Sequence, residues 1–161
     1  MSGNIRRANP SEARSLTELA LRSKAHWGYD QEFLRDCRSD LTLTPAFVAS
    51  SPVFILEEEG RIAGFYSLSE QGAEVELLHL FVEPRAIGRG YGKLLFQHAV
   101  AQARASDFKL LVIGSDPFAL EFYEAMGARR VGEVASSVRP GRMLPLLHYP
   151  LHLSRPDTFS A

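Results

Sequence analysis

The sequence predicts an α/β (α+β) fold, in which helices cover both faces of a mixed, mostly antiparallel sheet of six to seven strands. Two observations lead to this prediction. Residues 53–82 hold three apolar runs separated by short polar or glycine-containing turns, which is typical of an antiparallel meander. Residues 74–113 then hold a strand pattern, a helical pattern and a second strand pattern, an order that favours a parallel crossover.

The N-terminal third is predicted to hold one short strand and two helices. Ile5–Ala8 favours the strand. The first helix follows Asn9-Pro10, has apolar residues at helical spacing, and ends near His26–Tyr29. A second, short helix is predicted over Gln31–Cys37.

The meander strands are predicted at Val53–Leu56, Ile62–Leu68 and Glu74–Val82, and Pro84 ends the third of them. Helical spacing then resumes until residue 103, starting from Gly90.

The C-terminal part is predicted to complete the sheet. Phe108–Ile113 is mostly apolar, as in a strand covered on both faces. Asp116 is a good helix N-cap, Pro117 suits the first helical position, and Gly127 is a typical C-terminal stop. Two last strands are predicted at Ala128–Ala135 and Leu144–Leu153.

Length and composition indicate one ordinary globular domain. The chain has 161 residues, of which 45% are hydrophobic and 23% charged. Lys and Arg number 18 against 19 Asp and Glu, so the formal net charge is -1. A nearly neutral chain has no bulk attraction for polyanions, and we expect neither nucleic acid nor a membrane as a partner. We expect the domain to span residues 1–153 and residues 154–161 to form a flexible tail.

Cysteine and histidine usage favours a reducing compartment and no metal. The single cysteine, Cys37, allows neither an intrachain disulfide nor a cysteine zinc cluster. His148 and His152 are four residues apart on a predicted strand, too distant for an obvious shared metal. The N-terminus lacks a secretory apolar stretch, and no apolar run approaches the roughly 20 residues that span a bilayer. We therefore predict a cytoplasmic protein.

A glycine-rich bend carries the most specific signal. Gly88, Gly90 and Gly92 lie between the end of a strand and the start of a helix. Glycine lets several backbone N–H groups converge, and a helix N-terminus adds roughly half a positive charge, so the bend suits a pyrophosphate. Arg89 and Lys93 add cations. The spacing is one residue short of a P-loop, and the preceding antiparallel strand does not fit a dinucleotide-binding unit.

Two segments resemble motifs of the GCN5-related N-acetyltransferase (GNAT) superfamily. The family's acetyl-CoA signature, Q/R-x-x-G-x-G/A after a strand ending in V-x-P, is similar to LFVEP at residues 80–84 followed by GRGYG at 88–92. The second family motif, N-x-x-A-x-x-x-Y-x-x-x-G-F, is similar to DPFALEFYEAMGA at 116–128. The resemblance covers roughly residues 4–153. It implies the GNAT fold and acetyl transfer from acetyl-CoA to an amine.

The resemblance also implies a coenzyme site along the third meander strand. The pantetheine arm would lie beside this strand, in a split between it and the next strand. The chain departs from the motifs at Ile87, where the family has Gln or Arg, at Asp116 in place of Asn, and at Ala128 in place of Phe. The cofactor-binding residues so implied are Leu80, Phe81, Val82, Ile87, Gly88, Arg89, Gly90, Tyr91, Gly92, Lys93, Asp116 and Phe122.

Two residues match the family's catalytic groups. An attacking amine must lose its proton, and Glu76 occupies the position of the family's base. Tyr123 matches the tyrosine that protonates the leaving sulfur. From the pattern alone, Glu76 is equally a solvated strand residue and Tyr123 a core residue. His79 is either a second candidate base or a satisfied core histidine, and alternation predicts that it faces away from Glu76.

The sequence says less about the acceptor than about the coenzyme. Trp27 and Tyr29 lie between the first two helices, where this fold walls the acceptor site, and they form either an aromatic binding wall or a packing corner. Arg139 and Arg142 suggest a carboxylate on the acceptor, or are simply exposed. We expect a small-molecule amine. The alternatives are a protein N-terminus or lysine as the acceptor, and a non-catalytic acyl-CoA sensor; a homodimer stays open.

Overall fold

The computed structural model of the protein describes residues 3–152, so the tail predicted over residues 154–161 lies outside the described residues. The strands are β1 (Asn4–Arg7), β2 (Val53–Glu58), β3 (Arg61–Gln71), β4 (Glu74–Val82), β5 (Leu110–Gly114), β6 (Arg129–Ala135) and β7 (Met143–Pro150). The helices are α1 (Ala13–Ala25), α2 (Gln31–Leu41), α3 (Pro45–Ser50), α4 (Tyr91–Ala105) and α5 (Leu120–Ala125).

The seven strands form one mixed sheet in the order β1-β2-β3-β4-β5-β7-β6. All neighbours are antiparallel except β4 and β5, which are parallel and joined by the α4 crossover. The predicted fold class, meander and crossover are therefore confirmed.

Helices pack on both faces of this sheet, over two separate apolar clusters. One cluster joins the sheet to α4 and α5, and its fully buried members include Tyr66, Leu95 and Leu111. The other joins the opposite face to α1, α2 and α3, and includes Leu16 and Phe65. Burying apolar area of this extent on each face stabilises the sheet at about 25 cal/mol per Å² removed from water.

Helix α4 approaches the sheet closely over Gly64 in β3. A Cβ atom there would come within 2.8 Å of the Phe81 carbonyl oxygen and 2.9 Å of Leu95 Cδ1 of α4. Glycine is therefore required sterically, and it lets α4 rest on the strands that lead into the glycine-rich bend.

Several predicted element bounds are corrected by the structure. The first strand is β1, one residue earlier than predicted, and α2 continues four residues past Cys37. Asp116 caps a 3-10 turn, Pro117–Ala119, which precedes α5. Helix α3 was not predicted. Its six residues are too short to show a period, although the Thr44 side chain accepts the Phe47 N–H as an N-cap should.

A β-bulge at Leu78 corrects a further prediction. Ser69 of β3 pairs with Glu76 and Ser67 pairs with His79, while Leu78 has no partner in the register. Residues two apart on β3 share a face, so Glu76 and His79 lie on the same face of the sheet. The prediction that they face opposite ways is wrong, because the extra residue in a bulge reverses the alternation.

Candidate active site

A split opens in the sheet between β4 and β5. The two strands pair only through Glu74–Glu76 and Leu110–Val112, while the other edge of β5 pairs with β7 over Leu110–Gly114. Within residues 3–152, the edge of β4 that faces β5 has no strand partner from Leu77 to Val82. Backbone groups on such an edge can bind an extended ligand in the way that they would bind another strand.

The glycine loop (Gly88–Gly92) leads from this edge of β4 into α4. Gly88 and Gly90 have φ of 90° and 82°, in the left-handed region that favours glycine, and no atom lies within 4 Å of a Cβ built at either position. Gly90 is the N-cap of α4, which has no side-chain cap. The first amides of the helix are therefore available to an anion, and the helix dipole favours one there.

Some of the side chains around the glycine loop bind a neighbouring carboxylate, and others are exposed to solvent. Arg89 forms a 3.0 Å ion pair with Glu58 at the end of β2, and the buried Tyr91 donates its hydroxyl hydrogen bond to the same carboxylate. Lys93 is exposed and lines a surface cavity of about 390 Å³ between α4, α5 and β7. The Phe122 ring lies 3.2 Å from where a Gly92 Cβ would stand. Sequence reasoning missed Glu58, which is 31 residues from Arg89.

Tyr123 is buried in α5, among aromatic rings. Its side chain is 7% exposed, and its ring packs against Phe96 and Phe122. Burial raises the pKa of the Tyr123 phenol, and the negative charge of Asp116 raises it further. The phenol therefore stays protonated at neutral pH and can donate a hydrogen bond to a developing anion.

Glu76 is half-buried in β4 at the last residue pair before the split, opposite Val112 of β5. Burial raises the pKa of its carboxyl. A carboxylate with a raised pKa is a stronger base than an exposed one, which suits removal of a proton from an ammonium group.

His79 lies on the same face but is a satisfied core side chain. It is 6% exposed, and its Nδ1 lies 2.6 Å from the Ser67 hydroxyl. Burial lowers the pKa of His79 to about 4, and contacts with Asp40 only partly oppose this. A histidine that is neutral and hydrogen-bonded in this way is a poor base compared with Glu76.

The Asp116 cluster (Lys24, Tyr29, Asp116 and Arg142) lies at the open end of the split. Lys24 Nζ is 2.5 Å from Asp116 Oδ2, and the Tyr29 hydroxyl donates to the same carboxylate at 3.0 Å. Arg142 in turn donates to the Tyr29 hydroxyl oxygen at 3.0 Å. Burial alone would raise the pKa of Asp116, but the hydrogen bond and charge of Lys24 outweigh it and hold that pKa below its ordinary value.

The cluster joins the α1–α2 loop to the end of β5, which no local pattern could have predicted because Lys24 and Asp116 are 92 residues apart. Trp27 strengthens this junction by stacking on Phe118, with ring centroids 5.4 Å apart and planes within 2°. Both of these rings are partly exposed. The structure thus brings Trp27 and Tyr29 to the β5–α5 turn, and a coenzyme contact by Asp116 stays a prediction.

The strap (residues 136–142, between β6 and β7) covers the neighbouring part of α2. Arg139 forms a 3.0 Å ion pair with Asp36, and Ser137 donates a hydrogen bond to Asp40. The guanidinium of Arg142 lies over the Phe33 ring, 4.8 Å from its centroid. The strap and the α1–α2 loop therefore enclose the α2 side of the split.

Neither a metal cluster nor a membrane span was found in the part of the chain that the structure describes. Its His, Cys, Asp and Glu side chains form no group of three that could hold a metal. Its helices include none with the length and apolar character needed to cross a bilayer.

Comparisons with known proteins agree on one family. The model of the acetyltransferase (GNAT) family matches residues 14–128. Peptidyl-lysine N-acetyltransferase YiaC of Escherichia coli (strain K12) is 34% identical over 126 residues, which are 76% of this chain and 81% of that protein. The 5-NmdU N-acetyltransferase of Pseudomonas phage PaMx11 is 29% identical over 131 residues, 80% of this chain and 89% of that protein.

Solved structures agree with this at the level of the fold. The crystal structure of PaiA N-acetyltransferase from Thermoplasma acidophilum, in complex with coenzyme A, superimposes with a TM-score of 0.74. It is 15% identical and matches 93% of this chain and 99% of that one.

Proposed function

The chain belongs to the GNAT family of acetyltransferases, and from this premise we propose that it transfers the acetyl group of acetyl-CoA to the primary amine of a small molecule. One observation carries the proposal. The split in the sheet has an anion-binding glycine loop at its β4 end, a half-buried carboxylate at its apex and a buried phenol in the helix beside it.

The coenzyme fits the residues on the β4 side of the split. The amides of Gly88–Gly92 would bind its diphosphate, because open space lies over the glycines and the helix start is uncapped. The unpaired edge of Leu80–Val82 would hydrogen-bond the amide groups of the pantetheine arm. Phe122 would pack beside the loop against the same ligand.

Two residues would then move protons. Glu76 accepts a proton from the acceptor's ammonium group, directly or through water, which frees the nitrogen lone pair for attack on the thioester carbonyl. Tyr123 donates a hydrogen bond to the departing sulfur and can supply its proton. The raised pKa of each side chain suits its role, since the carboxylate is more basic and the phenol stays protonated.

The acceptor is proposed to be small because the α2 side of the split is enclosed. The Asp116 cluster and the strap hold the α1–α2 loop and residues 136–142 in place through charged hydrogen bonds. A peptidyl lysine is the second candidate, since a protein 34% identical to this chain is a peptidyl-lysine acetyltransferase. A lysine side chain is slender enough to enter this side of the split, whereas a folded peptide is too wide.

The test is thiol release from acetyl-CoA across a panel of small amines and lysine peptides, with Tyr123→Phe compared with the parent protein. We expect Tyr123→Phe to lower kcat about 100-fold or more, the usual scale for losing a positioned acid, with coenzyme affinity unchanged. Tyr149→Phe is the matched control, since Tyr149 also packs on Phe96 but lies on β7.

Three results would count against the proposal. Equal kcat for Tyr123→Phe and the parent would remove the acid role. Turnover of peptides but of no small amine would favour the second candidate. Tight coenzyme binding with no turnover of any amine would identify a non-catalytic acyl-CoA sensor.

A further inference from the structure

Of the three cations in the Asp116 cluster and the strap, two have carboxylate partners. Lys24 is paired with Asp116 at 2.5 Å, and Arg139 with Asp36 at 3.0 Å. Arg142 has no carboxylate partner among residues 3–152, although it is only half-buried and three residues from Arg139. Among these three, the Arg142 guanidinium is therefore the one whose charge is not engaged in an ion pair.

The guanidinium of Arg142 is held in position by neutral groups. It donates one hydrogen bond, to the Tyr29 hydroxyl at 3.0 Å. Its carbon lies 4.8 Å from the Phe33 ring centroid and 5.7 Å from the Tyr29 centroid. Arginine has five N–H donors, so most of them have no partner within the described residues. Contacts with aromatic faces orient a guanidinium without neutralising it.

Hydrogen bonds connect this guanidinium to the open end of the split. Tyr29 links it to Asp116, whose charge acts on Tyr123. Asp116 follows Ser115, whose N–H bonds the Pro145 carbonyl at 2.9 Å, so the ends of β5 and β7 are adjacent. Arg142 is three residues from Pro145 and faces α2, on the side of the sheet that also carries Glu76.

We propose that Arg142 binds a carboxylate on the acceptor, so that the preferred acceptor is an amine carrying a carboxylate near it. A planar guanidinium with free N–H edges matches a carboxylate through two parallel hydrogen bonds, and one positive charge balances one negative charge. This inference rests on the proposed function. The carboxylate comes either from the acceptor's own main chain, as in an amino acid, or from an acidic side chain next to a peptidyl lysine.

The experiment measures kcat and KM for two matched acceptor pairs. Free lysine against lysinamide tests a main-chain carboxylate, and the capped dipeptides Lys-Asp against Lys-Asn, both amidated at the C-terminus, test an acidic side chain. We expect the parent to prefer the carboxylated member of one pair about 10- to 100-fold in kcat/KM, the scale of a charge-assisted bidentate contact. The preferred pair identifies the source.

Variants assign the preference to one residue. Arg142→Gln removes the preference by raising KM for the carboxylated acceptor, with less than about a twofold change for its amide partner. Arg142→Lys restores part of the preference, since lysine carries the positive charge but lacks the planar guanidinium that forms two parallel hydrogen bonds. Arg130→Gln, which removes an exposed arginine of β6 that pairs with Glu133, keeps the parent's preference.

The outcomes separate this inference from the proposed function. Acetylation of both members of each pair with equal kcat/KM overturns the role of Arg142 and leaves acetyl transfer standing. An equal loss on both members in Arg142→Gln also overturns it, because a purely structural residue would behave in that way. If the parent acetylates other small amines but none of these four acceptors, the role of Arg142 is overturned alone; if it acetylates no amine at all, both proposals fail together.

Discussion

Burial moves the pKa values of Glu76 and His79 in opposite directions, and it does so for one reason. Taking an ionisable group out of water disfavours its charged form, which raises the pKa of a carboxyl and lowers that of an imidazole. Glu76 is half-buried and His79 almost fully buried on the same face of β4. The half-buried residue keeps access to a ligand, so it is the better candidate base.

Replacement of Glu76 is expected to change the slope of the pH–rate profile. Below the raised pKa of Glu76, the carboxyl must lose its proton before it can accept one from the bound ammonium group, so log(kcat/KM) rises with a slope of one. Above that pKa the parent's profile is level until the amine's own pKa near about 10.4. In Glu76→Gln only the free amine reacts, so the slope should stay at one up to the amine's pKa, with a lower rate.

Steady-state rates from pH 4.5 to 9 with a lysine-like amine check this prediction. Glu74→Gln, an exposed residue two positions away on β4, serves as the matched control. A plateau that persists in Glu76→Gln would mean that another group is the base.

His79 is expected to make the fold less stable in acid. Its pKa is about 4 in the folded protein against 6.5 for a free side chain, so the unfolded chain binds the proton more readily. Stability is therefore unaffected above about pH 6.5 and falls as the pH drops toward 4, by roughly 3 kcal/mol in total. Urea unfolding at pH 4.5, 5.5 and 7 would measure this loss.

The variant His79→Gln isolates the effect, because glutamine keeps a hydrogen-bonding partner for Ser67 but does not titrate. The difference in unfolding free energy between parent and variant should change with pH between 6.5 and 4 only. A difference that is constant over this range would show that the folded histidine is not held neutral.

At the scale of elements, a matched pair of glycines allows the cost of backbone strain to be measured separately from the loss of ligand binding. Gly90 (φ 82°) in the glycine loop and Gly72 (φ 68°) in the β3–β4 turn are both left-handed, and a Cβ at either meets no atom within 4 Å. Gly90→Ala and Gly72→Ala should each cost about 1–2 kcal/mol of unfolding free energy. Only the first change lies at the proposed diphosphate site.

Isothermal calorimetry with coenzyme A and thermal unfolding would test this matched pair. We expect Gly90→Ala to weaken coenzyme binding at least tenfold and Gly72→Ala to leave it unchanged. Unaltered affinity in Gly90→Ala would exclude the glycine loop as the diphosphate site.

The elements were predictable where a proline or glycine in the sequence marks their ends. Pro84, Gly90 and Gly127 bound elements whose apolar period is clear, and these elements are in place. The bulge at Leu78 was not predictable, because one extra residue in a strand leaves apolar alternation on both sides of it. That missed bulge is why His79 was expected on the wrong face.

Contacts between side chains that are distant in the sequence also could not be predicted from it. The Asp116 cluster depends on residues from α1, the α1–α2 loop, the end of β5 and the start of β7. No periodicity within an element carries information on such contacts. Local capping preference predicted Asp116 as an N-cap, which it is for the 3-10 turn before α5, but its ion pair with Lys24 follows only from the tertiary structure.

At the scale of the whole molecule, the split divides the sheet into two parts. Strands β1–β4 form one part and β5, β7 and β6 the other, and within the described chain their strand pairing amounts to three residue pairs. The α4 crossover and the Asp116 cluster also connect them. A ligand bound in the split would add hydrogen bonds where the sheet has none of its own.

Hydrogen exchange is therefore expected to show the two parts becoming coupled when the coenzyme binds. Amides on the open edge of Leu77–Val82 and in Gly88–Gly92 exchange through local opening in the free protein, and the bound coenzyme should slow them. At 100 times its Kd the ligand also adds about 2.7 kcal/mol to global stability, which slows exchange throughout the core. In Gly90→Ala, tenfold weaker binding at the same coenzyme concentration would lower the added stability to about 1.4 kcal/mol. Protection confined to the exposed edge strand β6, with β4 unchanged at saturating coenzyme, would place the ligand elsewhere and remove the physical basis for transfer at Glu76 and Tyr123.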